Sequence, residues 1–175
     1  MMRSRKKKWA RTALGLAALV VALAVVSPAA AMAAAGGTDR PLKGTASGTV
    51  RLNLVTHDYV AEVTGTTTHS GLYGARDEGS GAFLPDFSFS ATGEMSIVVA
   101  NGDEIHGPSM LTTSPFTPGA VEHTTTQVTT VTGGTGRFEG ATGTLTGHYD
   151  ITPIGVEGPT LVNHVEGTIE GSISY

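Results

Sequence analysis

Residues 131–143 read VTGGTGRFEGATG, with five glycines in thirteen positions and Phe138 as the large side chain between two glycine-rich turns. Glycine accepts positive φ without steric cost, so this stretch predicts a backbone that folds tightly on itself. We expect Phe138 to plug one end of a hydrophobic core, while Arg137 and Glu139 face solvent. The residues assigned to this structural turn are Gly133, Gly134, Gly136, Phe138 and Gly140.

The residues after the turn favour a structural role over phosphate binding. A glycine-rich phosphate loop leads into a helix and often ends in Gly-Lys-Ser/Thr. Here Thr142 to Ile151 alternate with period two, which is typical of a strand whose successive side chains point to opposite faces. We expect Leu145, Tyr149 and Ile151 to face the core.

Similar alternation runs through the chain from Gly44 onward, for example at Val50, Leu52 and Leu54. Inward glycines beside large residues suit a tapering barrel, although a two-sheet sandwich uses the same alternation. The chain is therefore predicted to be all-β, as a single antiparallel β-barrel with a sandwich as the alternative. The last segment's inward residues are expected to be Leu161, Val165, Ile169, Ile173 and Tyr175.

The glycine-rich turn resembles a segment of the allene oxide cyclase and dirigent barrels. It is more similar still to small secreted bacterial proteins with an allene-oxide-cyclase-like barrel domain. The stretches THSGLYG at 68–74 and ANGD at 100–103 also resemble those proteins. The resemblance implies an eight-stranded antiparallel barrel with a lumen. Plant members cyclise fatty-acid epoxides or steer phenoxy-radical coupling, but the cyclases' catalytic cysteine has no counterpart in this cysteine-free chain.

The N-terminal residues have the pattern of a Sec-type signal peptide. A basic segment precedes an apolar stretch from Ala13 to Val26, and Ala31-Met32-Ala33 fits the small-x-small cleavage rule. An uncleaved membrane anchor is the alternative, but the apolar stretch is shorter than the ~20 residues that span hydrocarbon. We expect residues 1–33 to be removed, residues 34–43 to form a flexible leader and residues 44–175 to form a secreted, extracellular barrel domain.

The predicted mature chain is acidic, with five Lys or Arg against fifteen Asp or Glu and a formal net charge of about −10. Nucleic acids and anionic membranes bind through Lys and Arg, so we expect no nucleic-acid partner and, after signal cleavage, no membrane partner. The oligomeric state stays open. The absence of cysteine excludes disulfides, thiol catalysis and iron–sulfur clusters.

Asn101-Gly102 predicts a hairpin whose register decides which polar groups reach the core. A two-residue turn places Ile97 on the same face as His106. A three-residue loop with a glycine bulge pairs Ile97 with Ile105 instead. The second register is favoured, because an inward Glu104 and His106 would need buried partners.

Prolines predict two irregular loops, since proline cannot supply ladder hydrogen bonds. One loop covers residues 107–119, and the other covers residues 153–158. Loops at a barrel mouth are where ligand contacts often lie.

The chain lacks familiar metal and hydrolase motifs. Two pairs of a histidine and an acidic residue, His148-x-Asp150 and His164-x-Glu166, are expected on outward strand faces. We therefore expect no metal and no cofactor. No Gly-x-Ser-x-Gly motif precedes a helix. Asp77-Glu78 is interpreted as a solvated pair, although the carboxylate spacing used in glycoside hydrolysis cannot be read from sequence.

The expected function is to bind or orient a small hydrophobic ligand in the lumen, without catalysis. The first alternative is an isomerase or cyclase of the allene oxide cyclase type. In that case Glu104, His106 and the tyrosines are the candidate general acids and bases, and the catalytic residues themselves stay unknown. The second alternative is a structural secreted protein with a filled barrel. The candidate ligand-binding residues are Tyr59, Tyr73, Glu104, His106 and Tyr149.

Overall fold

The computed structural model describes residues 38–116 and 122–175. In these residues the fold is a closed barrel of eight antiparallel strands with one short extra strand outside it, which confirms the predicted barrel over the sandwich. The described part contains no helix with the length and hydropathy to cross a membrane. The strands are β1 Asp39–Asn53, β2 Asp58–Thr67, β3 Gly71–Phe83, β4 Phe89–Val99, β5 Glu104–Thr113, β6 His123–Val131, β7 Gly133–Gly134, β8 Thr142–Glu157 and β9 Thr160–Ser174.

Strands follow one another around the barrel in chain order. Each of β1 to β5 pairs with the next strand, β6 pairs with β8, and β8 pairs with β9. Pairing of β1 with β9 closes the ring, and the short β7 pairs with β5. Closure gives each barrel strand two neighbours, which protects the threonine-rich strands from pairing with other chains.

The period-two alternation places the interior side chains as expected. Leu145, Val165 and Ile169 are all buried, at 1%, 3% and 6% exposure. A Cβ at Gly147 would collide with the ring of Tyr149, so this inward glycine makes room for a large neighbour. Leu54 was expected inside, but it lies beyond the end of β1 and is 43% exposed.

Antiparallel order places alternate connections at opposite ends of the barrel. We call one the mouth end, which holds the connections at 54–57, 84–88 and 158–159 and the described residues between β5 and β6, 114–116 and 122. We call the other the plug end, which holds those at 68–70, 100–103 and 132–141.

Phe138 is the plug, as predicted. It lies in a 3-10 turn, Gly136–Phe138, is 1% exposed, and packs its ring 4.8 Å from that of Tyr175. Arg137 and Glu139 are exposed. Gly136 has a φ of 57°, in the region that favours glycine, which allows the chain to turn before the aromatic residue.

Both proline-containing segments differ from the expected loops. β5 continues through Pro108. At this residue β5 pairs with neither β6 nor β7, so the hydrogen-bond ladder to those two strands is interrupted. β8 continues through Pro153 to Glu157 with a bulge after Pro153, and the turn is confined to residues 158–159. Residues 117–119 of the first predicted loop lie outside the described part.

The N-terminal boundary of the barrel also differs from expectation. β1 begins at Asp39, where a flexible leader was expected, and Asp39 pairs with Ser174. Leu42 is buried in the core, which explains why this segment belongs to the barrel. The predicted signal peptide and residues 34–37 of the leader lie outside the described part.

Candidate functional site

A cavity of about 80 Å³ lies inside the barrel at the mouth end and is partly open to the surface. Its walls are mainly apolar, with Leu52, Phe89 and Leu111 among them. About 10–15 Å³ admits one water molecule, so this cavity admits a small organic group. The half of the lumen at the plug end is filled by buried side chains such as Ile105 and Leu145.

The buried carboxylate of Asp77 joins four strands across the lumen. Its Oδ2 accepts hydrogen bonds from Tyr59 Oη at 2.9 Å and from Gln127 Nε2 at 2.5 Å. Its Oδ1 accepts a hydrogen bond from Ser109 Oγ at 2.7 Å. We call these four residues, Tyr59, Asp77, Ser109 and Gln127, the polar floor. Three of its members, Tyr59, Asp77 and Gln127, line the cavity, and Tyr59 also belongs to an apolar cluster with Leu52 and Phe89.

Strand alternation and a glycine position the polar floor. Tyr73 and Asp77 share the inward face of β3, whereas Arg76 and Glu78 are on its outer face and form an ion pair there at 2.9 Å. A Cβ at Gly93 would approach Asp77 Oδ1 to 3.0 Å and collide with Tyr59 Oη, so only glycine leaves room here. The interpretation of Asp77-Glu78 as a solvated pair is therefore wrong for Asp77, which is 1% exposed.

Burial changes the proton affinity of the groups inside the barrel. Desolvation raises the pKa of Asp77 above its ordinary value, although the three hydrogen bonds that it accepts act in the opposite direction. Burial also raises the pKa of Tyr59 and of Tyr149, and it raises the pKa of Tyr73 to about 12. The three phenols are therefore protonated at neutral pH, and Asp77 is the buried acid with increased proton affinity.

The inward face of β6 carries a polar stripe that descends from the mouth to the floor. His123, Thr125 and Gln127 follow one another at alternate positions, and all three are buried and line the cavity. The ring of His123 packs 4.0 Å from that of Phe116. Within the described residues, Thr125 Oγ1 is buried without any hydrogen-bond partner. Such a group is expensive to leave unpaired, so it indicates a place for a bound polar atom.

Two of the predicted ligand-binding residues, Tyr59 and Tyr149, line the cavity. Tyr73 lies in the filled half, where its Oη donates a hydrogen bond to the carbonyl oxygen of Thr45 at 3.1 Å. Sequence reasoning missed Asp77, Ser109, Thr125 and Gln127. Extending the alternation of β3 from Tyr73 would have placed Asp77 inside, but no local signal identifies the other three.

Glu104 and His106 do not reach the cavity. Ile97 pairs with Ile105, which confirms the favoured hairpin register and places Glu104 and His106 on the outer face of β5. Glu104 Oε1 accepts a hydrogen bond from Ser96 Oγ at 2.7 Å, and His106 is exposed. The proposed general acid and base set that included both residues is therefore not assembled.

Large apolar side chains are exposed around the mouth end. They belong to two of its connections, at 54–57 and 84–88, and to the ends of β3 and β8. The side chains with the largest exposure at this end are Val55, Phe87, Ile154 and Val156.

Comparisons with known protein families, with characterised proteins and with solved structures find no match for this chain. Within the described residues, no three His, Asp or Glu side chains are grouped so that they could hold a metal ion.

Replacing Thr125 with valine tests whether its hydroxyl has a partner. Valine has nearly the same shape, and removing an unpaired buried hydroxyl relieves its desolvation penalty, so we expect the free energy of unfolding to stay constant or rise by about 1 kcal/mol. Ser109→Ala is the control, because its hydroxyl is hydrogen-bonded, and it should lose about 1–3 kcal/mol. Urea denaturation measures the free energy of unfolding of both variants. An equal loss of stability in Thr125→Val and Ser109→Ala would show that the Thr125 hydroxyl has a hydrogen-bond partner.

Proposed function

We propose that this protein binds a small molecule with an apolar body and a polar group in the mouth-end half of its lumen, without transforming it. The observation that carries the proposal is an apolar cavity lined by Asp77, by two of its hydrogen-bond partners and by Thr125, whose buried hydroxyl is unpaired within the described residues. Mainly apolar walls with a few placed polar groups are characteristic of small-molecule sites.

The shape of the interior supports binding over a purely structural role. The filled half at the plug end fits a structural barrel, but the cavity at the mouth end does not. The exposed apolar residues around the mouth offer contacts to any part of a ligand that extends beyond the cavity. The ligand is then anchored by its polar end at the floor.

An isomerase or cyclase is the second candidate, and the Asp77–Tyr59 pair favours it. A buried carboxyl with a raised pKa can take up or release a proton closer to neutral pH, and a protonated phenol 2.9 Å away can stabilise a developing negative charge. This assignment replaces Glu104 and His106 as the proposed acid and base.

Kinship with the allene oxide cyclase and dirigent barrels is kept as a proposal. A closed eight-stranded barrel is what that kinship requires, but the architecture is shared by many proteins with unrelated functions. Secretion is likewise proposed from the sequence of residues 1–33.

A fragment screen with a cavity-filling variant tests the binding proposal. Alcohols, phenols, amines and carboxylates of about 5–8 non-hydrogen atoms are titrated while backbone amide shifts are recorded by NMR. We expect saturable shifts at the cavity residues for at least one class. Ala61 lines the cavity, and Ala61→Leu should weaken the binding of that ligand about tenfold, because the larger side chain fills the space that the ligand occupies.

Val60→Leu on the other face of the same strand is the matched control and should leave affinity within about twofold. Saturable shifts that persist unchanged in Ala61→Leu would place the ligand elsewhere. A screen in which no fragment class gives saturable shifts would contradict the binding proposal.

A further inference from the structure

Within the described residues, the carboxylate of Asp77 forms no ion pair, and no Lys or Arg lines the cavity. In the described residues, Arg51, Arg76 and Arg137 form ion pairs with acids on the outside, and the remaining Arg and Lys are exposed. A buried charge without a counter-ion is unfavourable, so a ligand that carries the opposite charge gains more here than a neutral one.

Two residues that line the cavity, Asp77 and Thr125, have acceptor positions without a hydrogen-bond partner in the described part of the chain. A carboxylate offers about four lone-pair positions, and Asp77 uses three of them, with only Ser109 on Oδ1. The Oγ1 of Thr125 is the second acceptor. Thr125 is two residues from Gln127 on the same face of β6, which places it about 7 Å nearer the mouth along the strand. Donors on a ligand fit these positions, whereas a second carboxylate does not.

Aromatic side chains form part of the cavity wall and suit a cation. Tyr59, Phe89, Phe116 and Tyr149 all line the cavity. The faces of aromatic rings attract organic ammonium groups, and the attraction increases when water is excluded. The wall therefore reinforces the preference that the carboxylate creates.

From the carboxylate, the free acceptors and the aromatic wall, we infer that the cavity selects small organic ammonium ions, primary amines with a short apolar chain, and rejects carboxylates. The inference rests on the proposed binding function and names its ligand class. The formal charge of about −10 beyond residue 33 acts in the same direction, because it attracts cations and repels anions.

Three ligands of similar size and different charge test the selection. Butylamine, butanol and butyrate are titrated at pH 7 into the full barrel, and amide shifts at Asp77 and Thr125 are followed by NMR. Hydrogen bonds to charged groups are roughly twice as strong as neutral ones, so we expect butylamine to bind about tenfold more tightly than butanol and butyrate to bind most weakly.

Variants separate the buried charge from the acidic surface. Asp77→Asn should bring the affinity for butylamine to within about twofold of that for butanol. Glu166→Gln removes an equal charge from an exposed position on β9 and should keep the tenfold preference. Thr125→Val keeps the carboxylate and should lower the affinity for butylamine about threefold. This variant provides a second test if Asp77→Asn folds poorly.

Each outcome decides a different claim. If butanol binds the wild type as tightly as butylamine, or if Asp77→Asn keeps the preference, ammonium selection is overturned while the binding function stands. If Glu166→Gln loses the preference, the amine binds the surface and ammonium selection in the cavity is overturned. If none of the three ligands gives saturable shifts at the cavity, both proposals fail for ligands of this size.

Discussion

Phe138→Ala is expected to lower the free energy of unfolding by about 3–5 kcal/mol. The side chain is 1% exposed, packs on Tyr175, and lies under the guanidinium of Arg137 at 4.7 Å from the ring centroid. Alanine leaves a cavity at the plug end that the closed ring of strands cannot fill by moving inward. Urea denaturation monitored by circular dichroism measures the loss.

Phe87→Ala is the matched control at the other end of the barrel. Phe87 is 68% exposed, so its removal should change the free energy of unfolding by less than about 0.5 kcal/mol. Equal losses in the two variants would show that Phe138 is not a buried plug.

Asp77→Ala is expected to destabilise the protein by about 3 kcal/mol or more, because three buried donors lose their common acceptor. Asp77→Asn should be tolerated. Its Oδ1 can accept from Tyr59 and Gln127, while its Nδ2 donates to Ser109 Oγ. The comparison isolates the hydrogen-bonding role of the residue from its charge, and equal losses in both variants would contradict the polar floor.

The stability difference between wild type and Asp77→Asn is expected to depend on pH. The pKa of Asp77 is raised by burial, so the folded state binds its proton more tightly than the unfolded chain, whose carboxyl has a pKa of about 4. This contribution to stability is fully present below pH ~4 and is lost as pH rises through the folded-state pKa. The free energy of unfolding of wild type minus that of Asp77→Asn should therefore fall with rising pH.

Urea denaturation from pH 4 to pH 8 measures this difference. The titratable groups around Asp77 are Tyr59, Glu94, His123 and Tyr149, and all are retained in Asp77→Asn, so their own effects largely cancel. A difference that rises with pH would mean that the folded protein favours the carboxylate instead.

Alternation of apolar residues predicted most of the core of the last two strands, although Val162, on the other face, is also buried and Leu161 is only half-buried. Leu145, Val165 and Ile169 lie in strands whose outward positions are polar, so the two faces differ clearly in the sequence. The same physical contrast in β4 and β5 supported the correct pairing of Ile97 with Ile105. Where one face is apolar and the other polar, burial fixes the register.

The candidate site could not be predicted in the same way, because it lies where inward positions are polar. In β6 the inward face carries Thr125 and Gln127 as well as Val131, and the outward face carries Val128, so hydropathy does not distinguish the two faces. Asp77 stands beside Glu78, and a local reading treats both as solvated. What makes Asp77 internal is its partners on β2, β5 and β6, which are distant in sequence and meet only in the closed barrel.

The pairing of β1 with β9 has a consequence for how the chain reaches its native state. Asp39 lies opposite Ser174, so closure joins segments from the two extremes of the barrel sequence. Such a distant encounter is entropically costly and slow. Until it occurs, both strands expose unpaired backbone edges on which other chains can add. The yield of soluble protein is therefore controlled by a kinetic competition between ring closure and association of open sheets, and not only by the stability of the finished barrel.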